Sequence, residues 1–261
     1  MKKIVSLVLA LLMVFGLVSL TSCLVTPAAA VEQAFEKTEK LDSYYAVMDF
    51  KLTLSATGVT VDLPMSFKYK VEDANSENPT VYAKSNIEMF GESLTVESYL
   101  KDGWAYIIYD GEKAKVNLSK VENDDEYEYE FIEEFVQEIP EELLKNVEFT
   151  NEDDGGKTVN INIPDSTFNE LYDDFLEMIT ETALQEEFKN LVFSEANLSV
   201  TIKDGYVNVY SMEYNMSLNY DNVPMNASVE VSLEYKNPGE KVSVTMPKGY
   251  ESFDDITSVI D

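Results

Sequence analysis

The residue types that most often carry out catalysis are scarce in this chain. It has no histidine, no arginine and one cysteine, Cys23. Histidine is the usual general base near neutral pH and a common zinc ligand, and arginine is the usual bidentate partner of phosphate. With 49 Asp and Glu, carboxylate pairs of the glycosidase kind will occur by chance, and nothing singles one out. We therefore expect no enzyme, no metal site and no cofactor.

The lone cysteine follows a segment typical of an export signal. Lys2 and Lys3 precede an almost wholly apolar run over residues 4–20, which is short for a membrane span of about 20 residues. An ordinary signal of this kind could also be cleaved further on, near the alanines at 28–30. The first residues are thus expected to be removed rather than to fold.

The four residues Leu20-Thr21-Ser22-Cys23 resemble the lipobox of bacterial lipoproteins. In that family the cysteine is acylated, for example with palmitate, and becomes the first residue of the mature protein. The resemblance implies a signal peptide over 1–22, lipidation of Cys23 and a short tether over 23–30. It also implies a protein anchored by lipid at the extracytoplasmic face of the cell membrane.

The charge balance limits the partners of the chain. Its formal net charge is −30, which repels nucleic acid and anionic surfaces. If Cys23 is acylated, no thiol remains for a disulfide, so that a hydrophobic core must stabilise the fold. The residues after the tether, 31–261, are predicted to form a single domain with one such core.

Strict alternation of apolar and polar residues dominates the chain and predicts strands with one buried face. Three segments have helical spacing instead: one from Val31, one within 122–142 that restarts at Pro140, and one from Thr167 to Phe188. The prediction is an α+β fold of three helices and about eleven strands, over 44–56, 59–71, 80–90, 93–100, 104–109, 114–118, 159–163, 196–202, 206–220, 223–235 and 242–246.

Two further features have plain structural interpretations. The acidic run 122–142 and the cluster 151–154 lack the spacing of a twelve-residue calcium loop, so a solvated helix face and a loop tip are favoured over a cation site or a basic partner. Aromatic residues could stack on a sugar, but they are also common in strands. These aromatic residues are Trp104, Tyr106, Tyr109, Tyr127 and Tyr129.

The order of lipobox, first helix, long one-faced strands, inserted helices and closing strands resembles the lipoprotein-carrier-like (LolA/LppX-like) fold. That fold is shared by the periplasmic carrier of outer-membrane lipoproteins, mycobacterial lipid-binding lipoproteins and a set of uncharacterised Gram-positive lipoproteins. The ending at 234–237 and 242–247 is similar to that Gram-positive set. The resemblance implies a strongly curved antiparallel half-barrel whose concave apolar face is partly closed by three helices. In several members that space holds lipid.

The inward apolar positions are the candidate ligand-binding residues, because methionine-rich surfaces adapt to varied apolar ligands. A filled core packed by the helices is the alternative for the same residues. The leading hypothesis is thus a non-enzymatic lipoprotein that binds a hydrophobic ligand, with lipid as the first candidate. The second is an envelope protein that acts through its acidic surface on a partner. The candidate positions are Met48, Phe50, Met65, Phe67, Ile87, Met89, Met212, Tyr214, Met216 and Met225.

Overall fold

The computed structural model describes residues 27–89, 91–120, 143, 147–170, 191–220 and 223–259. The described chain contains one complete α-helix, α1 (Pro27–Glu39), and helical residues at 165–170. Its twelve strands are β1 (Tyr44–Ala56), β2 (Val59–Glu72), β3 (Thr80–Met89), β4 (Glu92–Lys101), β5 (Trp104–Tyr109), β6 (Glu112–Asn117), β7 (Phe149–Asn151), β8 (Lys157–Ile163), β9 (Val192–Lys203), β10 (Tyr206–Tyr220), β11 (Val223–Tyr235) and β12 (Asp254–Asp255).

The strands form one mostly antiparallel sheet in the order β12-β6-β5-β4-β3-β2-β1-β11-β10-β9-β8-β7. Two-residue turns join β1 to β2, β4 to β5, β5 to β6 and β9 to β10, as is typical of alternating strands of similar length. At the β5–β6 turn, Asp110 and Gly111 have φ of 49° and 82°, the left-handed conformation that such a turn requires. The prediction of an antiparallel α+β protein is confirmed.

Helix α1 begins four residues before the expected start at Val31. Proline is favoured at the first position of a helix and alanine is the strongest helix former, so Pro27 and the three alanines after it extend the helix. The inner face of α1 buries Val31, Ala34, Phe35 and Thr38. The part of the predicted tether that the structure describes is therefore helical.

The chain divides into two compact units. The first takes in the described residues of Met1–Glu39, Lys51–Asp62 and Tyr127–Val231, and the second those of Lys40–Phe50, Leu63–Glu126 and Ser232–Asp261. In the first unit, α1 packs on β9 and β10, where the rings of Phe35 and Tyr210 meet edge to face at 6.3 Å. The single domain over 31–261 stays a prediction.

The C-terminal tail, residues 236–259, lies on the second unit and replaces one predicted strand. Residues 242–246 form no strand, although they alternate. Their backbone N–H groups instead donate to side chains: Val242 to Ser43 Oγ at 3.0 Å and Val244 to Glu72 Oε2 at 3.0 Å. The eleventh predicted strand is therefore wrong, and the short strands β7 and β12 take the count to twelve.

Several predictions fall on residues that the structure does not describe. The signal peptide, Cys23, and the helix within 122–142 all lie outside the described ranges. Of the helix expected over 167–188, the described part covers 165–170. Three helices were expected, and the described residues hold one complete helix, the beginning of another at 165–170 and one further helical residue, Leu143.

Candidate functional site

The register of β2–β6 places one set of mostly apolar residues on the same face of the sheet. Neighbours across the strands share a face, as do residues two apart along a strand. We call this set the β2–β6 apolar face. It consists of Met65, Phe67, Tyr69, Val71, Val81, Ala83, Ser85, Ile87, Leu94, Val96, Ser98, Leu100, Ala105, Ile107, Tyr109, Ala114 and Val116.

Burial changes along this face from one end to the other. At one end Ala105 and Val116 are buried, with 6% and 2% of their surface exposed. At the other end Leu94 is 38% exposed and Tyr109 50% exposed. We call the latter, next to the turns at Gly91 and Asp110–Gly111, the open end. Apolar surface that remains half-exposed on a folded unit is a typical feature of a binding site.

Small side chains occupy the middle of the face. Ala83 and Ser98 are direct cross-strand partners, and Ser98 also faces Ile107, whose next partner is Ala114. The neighbouring rows carry Val81 with Leu100 on one side and Val96 with Tyr109 on the other. The short side chains of the middle row, at Ala83, Ser98 and Ala114, leave space that an apolar chain can fill.

Strand β1 adds two predicted residues to this face. The β1–β2 hairpin turns at Thr57 and Gly58, and the Thr53 hydroxyl donates to Asp62 Oδ1 at 2.7 Å, which fixes the register of the pair. Continued along the two neighbouring strands, that register pairs Met48 with Phe67 and Phe50 with Met65. Met48 is buried, while Phe50, Met65 and Phe67 are half-buried.

The ten predicted residues thus fall into two groups. Within the second unit, Met48, Phe50, Met65, Phe67 and Ile87 come together on adjoining strands. Backbone pairing puts Met89 next to them, opposite Glu92. Met212, Tyr214, Met216 and Met225 belong to the first unit. Their role in ligand binding stays a prediction for all ten.

In the first unit the candidate residues are half-buried, and three of them lie next to buried neighbours. Met212 lies opposite Leu198 and Met216 opposite Phe193. The Tyr214 ring contacts those of Phe168 and Phe193, at centroid distances of 5.4 Å and 5.8 Å. Asn169 holds the helical residues 165–170 in place, because its side chain binds both the N–H and the carbonyl of Phe193. The surroundings of the Tyr214 ring therefore fit the filled-core alternative for this residue.

The opposite face of β2–β6 carries tyrosines and lysines, and we call it the tyrosine–lysine face. The C-terminal tail covers part of it: the Tyr106 ring contacts Tyr250 at 5.0 Å and Phe253 at 6.1 Å. Burial, reinforced by the neighbouring Glu97 carboxylate, raises the pKa of Tyr99 to about 12. Burial likewise raises the pKa of Tyr106. This face is a small aromatic core closed by the tail.

The aromatic residues considered for sugar stacking do not form one platform. Trp104 and Tyr106 belong to the tyrosine–lysine face, where the Lys115 ammonium lies 5.3 Å from the Trp104 ring. Tyr109 points to the β2–β6 apolar face instead. Tyr127 and Tyr129 lie outside the described residues.

The described part of the acidic cluster 151–154 is tied into its own loop. Asp154 accepts from the Gly156 N–H at 3.1 Å and pairs with Lys203 at 2.7 Å, and the bond to Lys203 lowers the pKa of Asp154. Among the described residues, no group of three or more Asp, Glu, His or Cys is placed to hold a metal ion. No described helix is long and apolar enough to cross a membrane.

Sequence reasoning missed several residues of the β2–β6 apolar face. Leu94, Val96, Ile107 and Tyr109 lie on it, although the candidate set favoured methionine and phenylalanine. Their alternation was visible, but the pairing that unites them with Met65 and Ile87 depends on turn positions. Placing the turns at Gly91 and Asp110–Gly111 first would have found them.

No protein-family model matches the sequence. No curated protein matches it either. The solved structures to which the chain is similar include LprF from Mycobacterium bovis (12% identity, 84% of this chain and 96% of that chain, TM-score 0.39). They also include a putative outer membrane lipoprotein-sorting protein domain from Vibrio parahaemolyticus (9% identity, 80% and 93%, TM-score 0.25) and a DUF1329 family protein from Desulfovibrio piger (8% identity, 85% and 95%, TM-score 0.25).

This set agrees with the recognition of a lipoprotein-carrier-like pattern in the sequence. Membership of the Gram-positive set stays a prediction. The TM-scores are all below 0.5, so the function proposed below rests on the residues of this chain.

Proposed function

We propose that this protein is a non-enzymatic lipoprotein that binds a hydrophobic ligand, a lipid, on the apolar side of its sheet. The observation that carries the proposal is the graded exposure of the β2–β6 apolar face, from buried Val116 to half-exposed Tyr109. A core would be buried throughout, because protein interiors are close-packed. In this proposal the sheet has the half-barrel curvature implied by the resemblance, and the helices partly cover its concave side.

The chemistry of the face favours a flexible, apolar ligand. Met48 and Met65 have unbranched, polarizable side chains that adapt to varied shapes. The small row at Ala83 and Ser98 gives room beside them for an alkyl chain. Each methylene that leaves water there contributes about 0.8 kcal/mol, so a chain of ordinary lipid length binds strongly without any polar recognition.

Cys23 carries the lipid anchor in this proposal, which places the protein at the extracytoplasmic face of the cell membrane. Replacing Cys23 by alanine in the full-length chain should release the protein from the membrane fraction and abolish labelling by palmitate. A variant that remains in the membrane fraction would contradict the anchoring part of the proposal and leave ligand binding untouched.

Native mass spectrometry of residues 24–261, purified from a bacterial cytoplasm and followed by organic extraction, tests ligand binding. We expect a co-purifying mass that the extract identifies as phospholipid or fatty acid. Ser98→Leu fills the small row and should reduce the occupancy about tenfold, since a bulky side chain displaces ligand. Ser93→Leu, on the other face of the same strand, is the matched control.

An unliganded mass, with no uptake when lipid is added, would reject lipid binding. The protein would then be better described as an envelope protein that acts through its acidic surface on a partner.

A further inference from the structure

Within β2–β6 the lysines lie on one face of the sheet only, which they share with Glu72, Glu88 and Glu97. All six lysines of these strands project from the tyrosine–lysine face, namely Lys68, Lys70, Lys84, Lys101, Lys113 and Lys115. On the β2–β6 apolar face the register places only carboxylates, Glu92 and Glu112, among the ionised side chains of these strands. The side that carries the apolar surface is thus purely acidic within the described strands.

Both carboxylates lie at the open end. Glu112 is the cross-strand partner of Tyr109, and Glu92 lies two residues before Leu94 on the same face. Glu92 and Glu112 are exposed, as are the apolar residues beside them. The register puts Glu112 in the row of Val96 and Tyr109, whereas Glu92 lies four residues further along β4 and two strands away, at roughly 16 Å. A ligand whose alkyl chain lies along the buried part of the face has its polar end at this acidic rim, beside one of the two carboxylates.

The pair of Tyr109 and Glu112 has the chemistry that recognises an ammonium group. The half-exposed Tyr109 ring attracts a cation to its face, and the carboxylate directly across the strands supplies the opposite charge. The same carboxylates repel an anionic head group. No lysine of these strands offsets that repulsion from the same face.

We propose that the β2–β6 apolar face selects amphiphiles whose polar end carries an ammonium group, and disfavours those whose polar end is anionic. The inference rests on the proposed function and adds the class of head group to it. Between an alkylammonium and an alkylcarboxylate of equal chain length, one partly screened carboxylate next to the head group gives a preference of roughly tenfold at low salt, because it attracts the first and repels the second.

The test is displacement of a neutral fluorescent probe, N-phenyl-1-naphthylamine, from residues 24–261 by three ligands of equal chain length. These are decylamine, decan-1-ol and decanoate at neutral pH. We expect decylamine to displace the probe at about tenfold lower concentration than decanoate, with decan-1-ol between them. High salt should narrow the difference, because the carboxylates are exposed.

Matched variants separate the local charges from the overall charge of −30. Glu92→Gln with Glu112→Gln should abolish most of the preference. Glu88→Gln with Glu240→Gln makes the same change in net charge at exposed positions away from the apolar face and should leave the preference intact. Tyr109→Leu keeps the site apolar and should weaken the binding of decylamine, but not that of decan-1-ol or decanoate.

Glu112 also lines a shallow polar depression with Lys113 and Lys248, so Glu112→Gln and Glu92→Gln are also compared as single variants, and Glu112→Gln should have the larger effect. Equal displacement by decylamine and decanoate, or an equal loss of preference in the control pair, would overturn the inference. Displacement by decan-1-ol in the same assay would leave the proposed function standing. Failure of the probe and of every ligand to bind would instead reject the proposed function.

Discussion

The two units bury the same kind of alternating strand in different ways. In the first, Val159, Leu198 and Val200 are buried where α1 packs on β9 and β10, and the exposed Val59 and Val192 lie at the ends of their strands. In the second, the β2–β6 apolar face is buried at one end and exposed at Leu94 and Tyr109. Alternation therefore shows which side of a strand is apolar, whereas a covering element determines whether that side becomes core or remains accessible.

The largest expected effect separates a core phenylalanine from one on the accessible face. Phe35→Ala should lower the free energy of unfolding by about 3–5 kcal/mol, because Phe35 is 2% exposed and its loss leaves a cavity beneath α1. Phe67→Ala, at a half-buried position, should cost roughly 1–2 kcal/mol and weaken ligand binding. Urea unfolding of both variants measures the two losses in free energy of unfolding. Equal losses would mean that the two faces are packed alike.

A buried hydrogen bond in the first unit gives the next effect. The Thr38 hydroxyl donates to the Ala34 carbonyl at 2.7 Å and accepts from the Val207 N–H at 2.9 Å, so it joins α1 to β10. Thr38→Val keeps the shape but leaves the Val207 N–H without that acceptor, at a cost of about 1–3 kcal/mol. Thr60→Val, at an exposed position, is the control and should change the denaturation midpoint little. An unchanged free energy of unfolding in Thr38→Val would show that the packing of α1 does not depend on this hydrogen bond.

The tyrosine–lysine face should make the second unit sensitive to alkali. The pKa of Tyr99 is raised to about 12 in the folded state, from 10.0. Below pH 10 the folded and unfolded chains hold this proton equally, so the stabilisation is complete. Between pH 10 and 12 the unfolded tyrosine ionises first, and stability falls by up to about 1.4 kcal/mol per pH unit. Tyr99→Phe should reduce this slope in urea unfolding at several alkaline pH values, and an unchanged slope would place the effect elsewhere.

The smallest effect on stability is expected at the open end. Leu94→Ser should change the free energy of unfolding by less than about 1 kcal/mol, because Leu94 is already 38% exposed. It should nevertheless weaken displacement of the probe by decan-1-ol, since the site loses apolar contact area. A large loss of stability would show that Leu94 belongs to a core. Calorimetry measures the change in stability and the displacement assay measures ligand binding, so together they show whether Leu94 belongs to a core or to the binding face.

The sequence predicted the long strands well because period two is a local property. Strands β1, β2, β10 and β11 match their predicted bounds to within a residue. The alternation at 242–246 led to a wrong strand prediction. The N–H groups of Val242 and Val244 donate to the side chains of Ser43 and Glu72, which are distant in sequence, and not to a neighbouring strand. β12 is too short, at two residues, to show any period.

The candidate site was harder to predict than the strands. Met65 and Ile87 were chosen correctly as neighbours in space, since they pair across β2 and β3. Tyr214 was chosen on the same grounds, yet its ring packs against Phe168 and Phe193. No feature of the sequence distinguishes Met65, on the accessible face, from Tyr214, in an aromatic cluster. Their surroundings differ because a helical residue, Phe168, packs against Tyr214.

Within the second unit, the Lys236 N–H donates to the Tyr45 carbonyl at 2.8 Å, and the Tyr44 and Tyr235 rings meet at 5.8 Å. These partners are separated by most of the chain. Whether the chain emerges from the ribosome or from the export channel, Tyr45 appears long before Lys236, so this pairing is a late, high-contact-order event. Until then the edge of β1 has open hydrogen-bonding groups that invite pairing between chains. A nascent or truncated chain ending before β11 is thus the form of this protein most dependent on a chaperone.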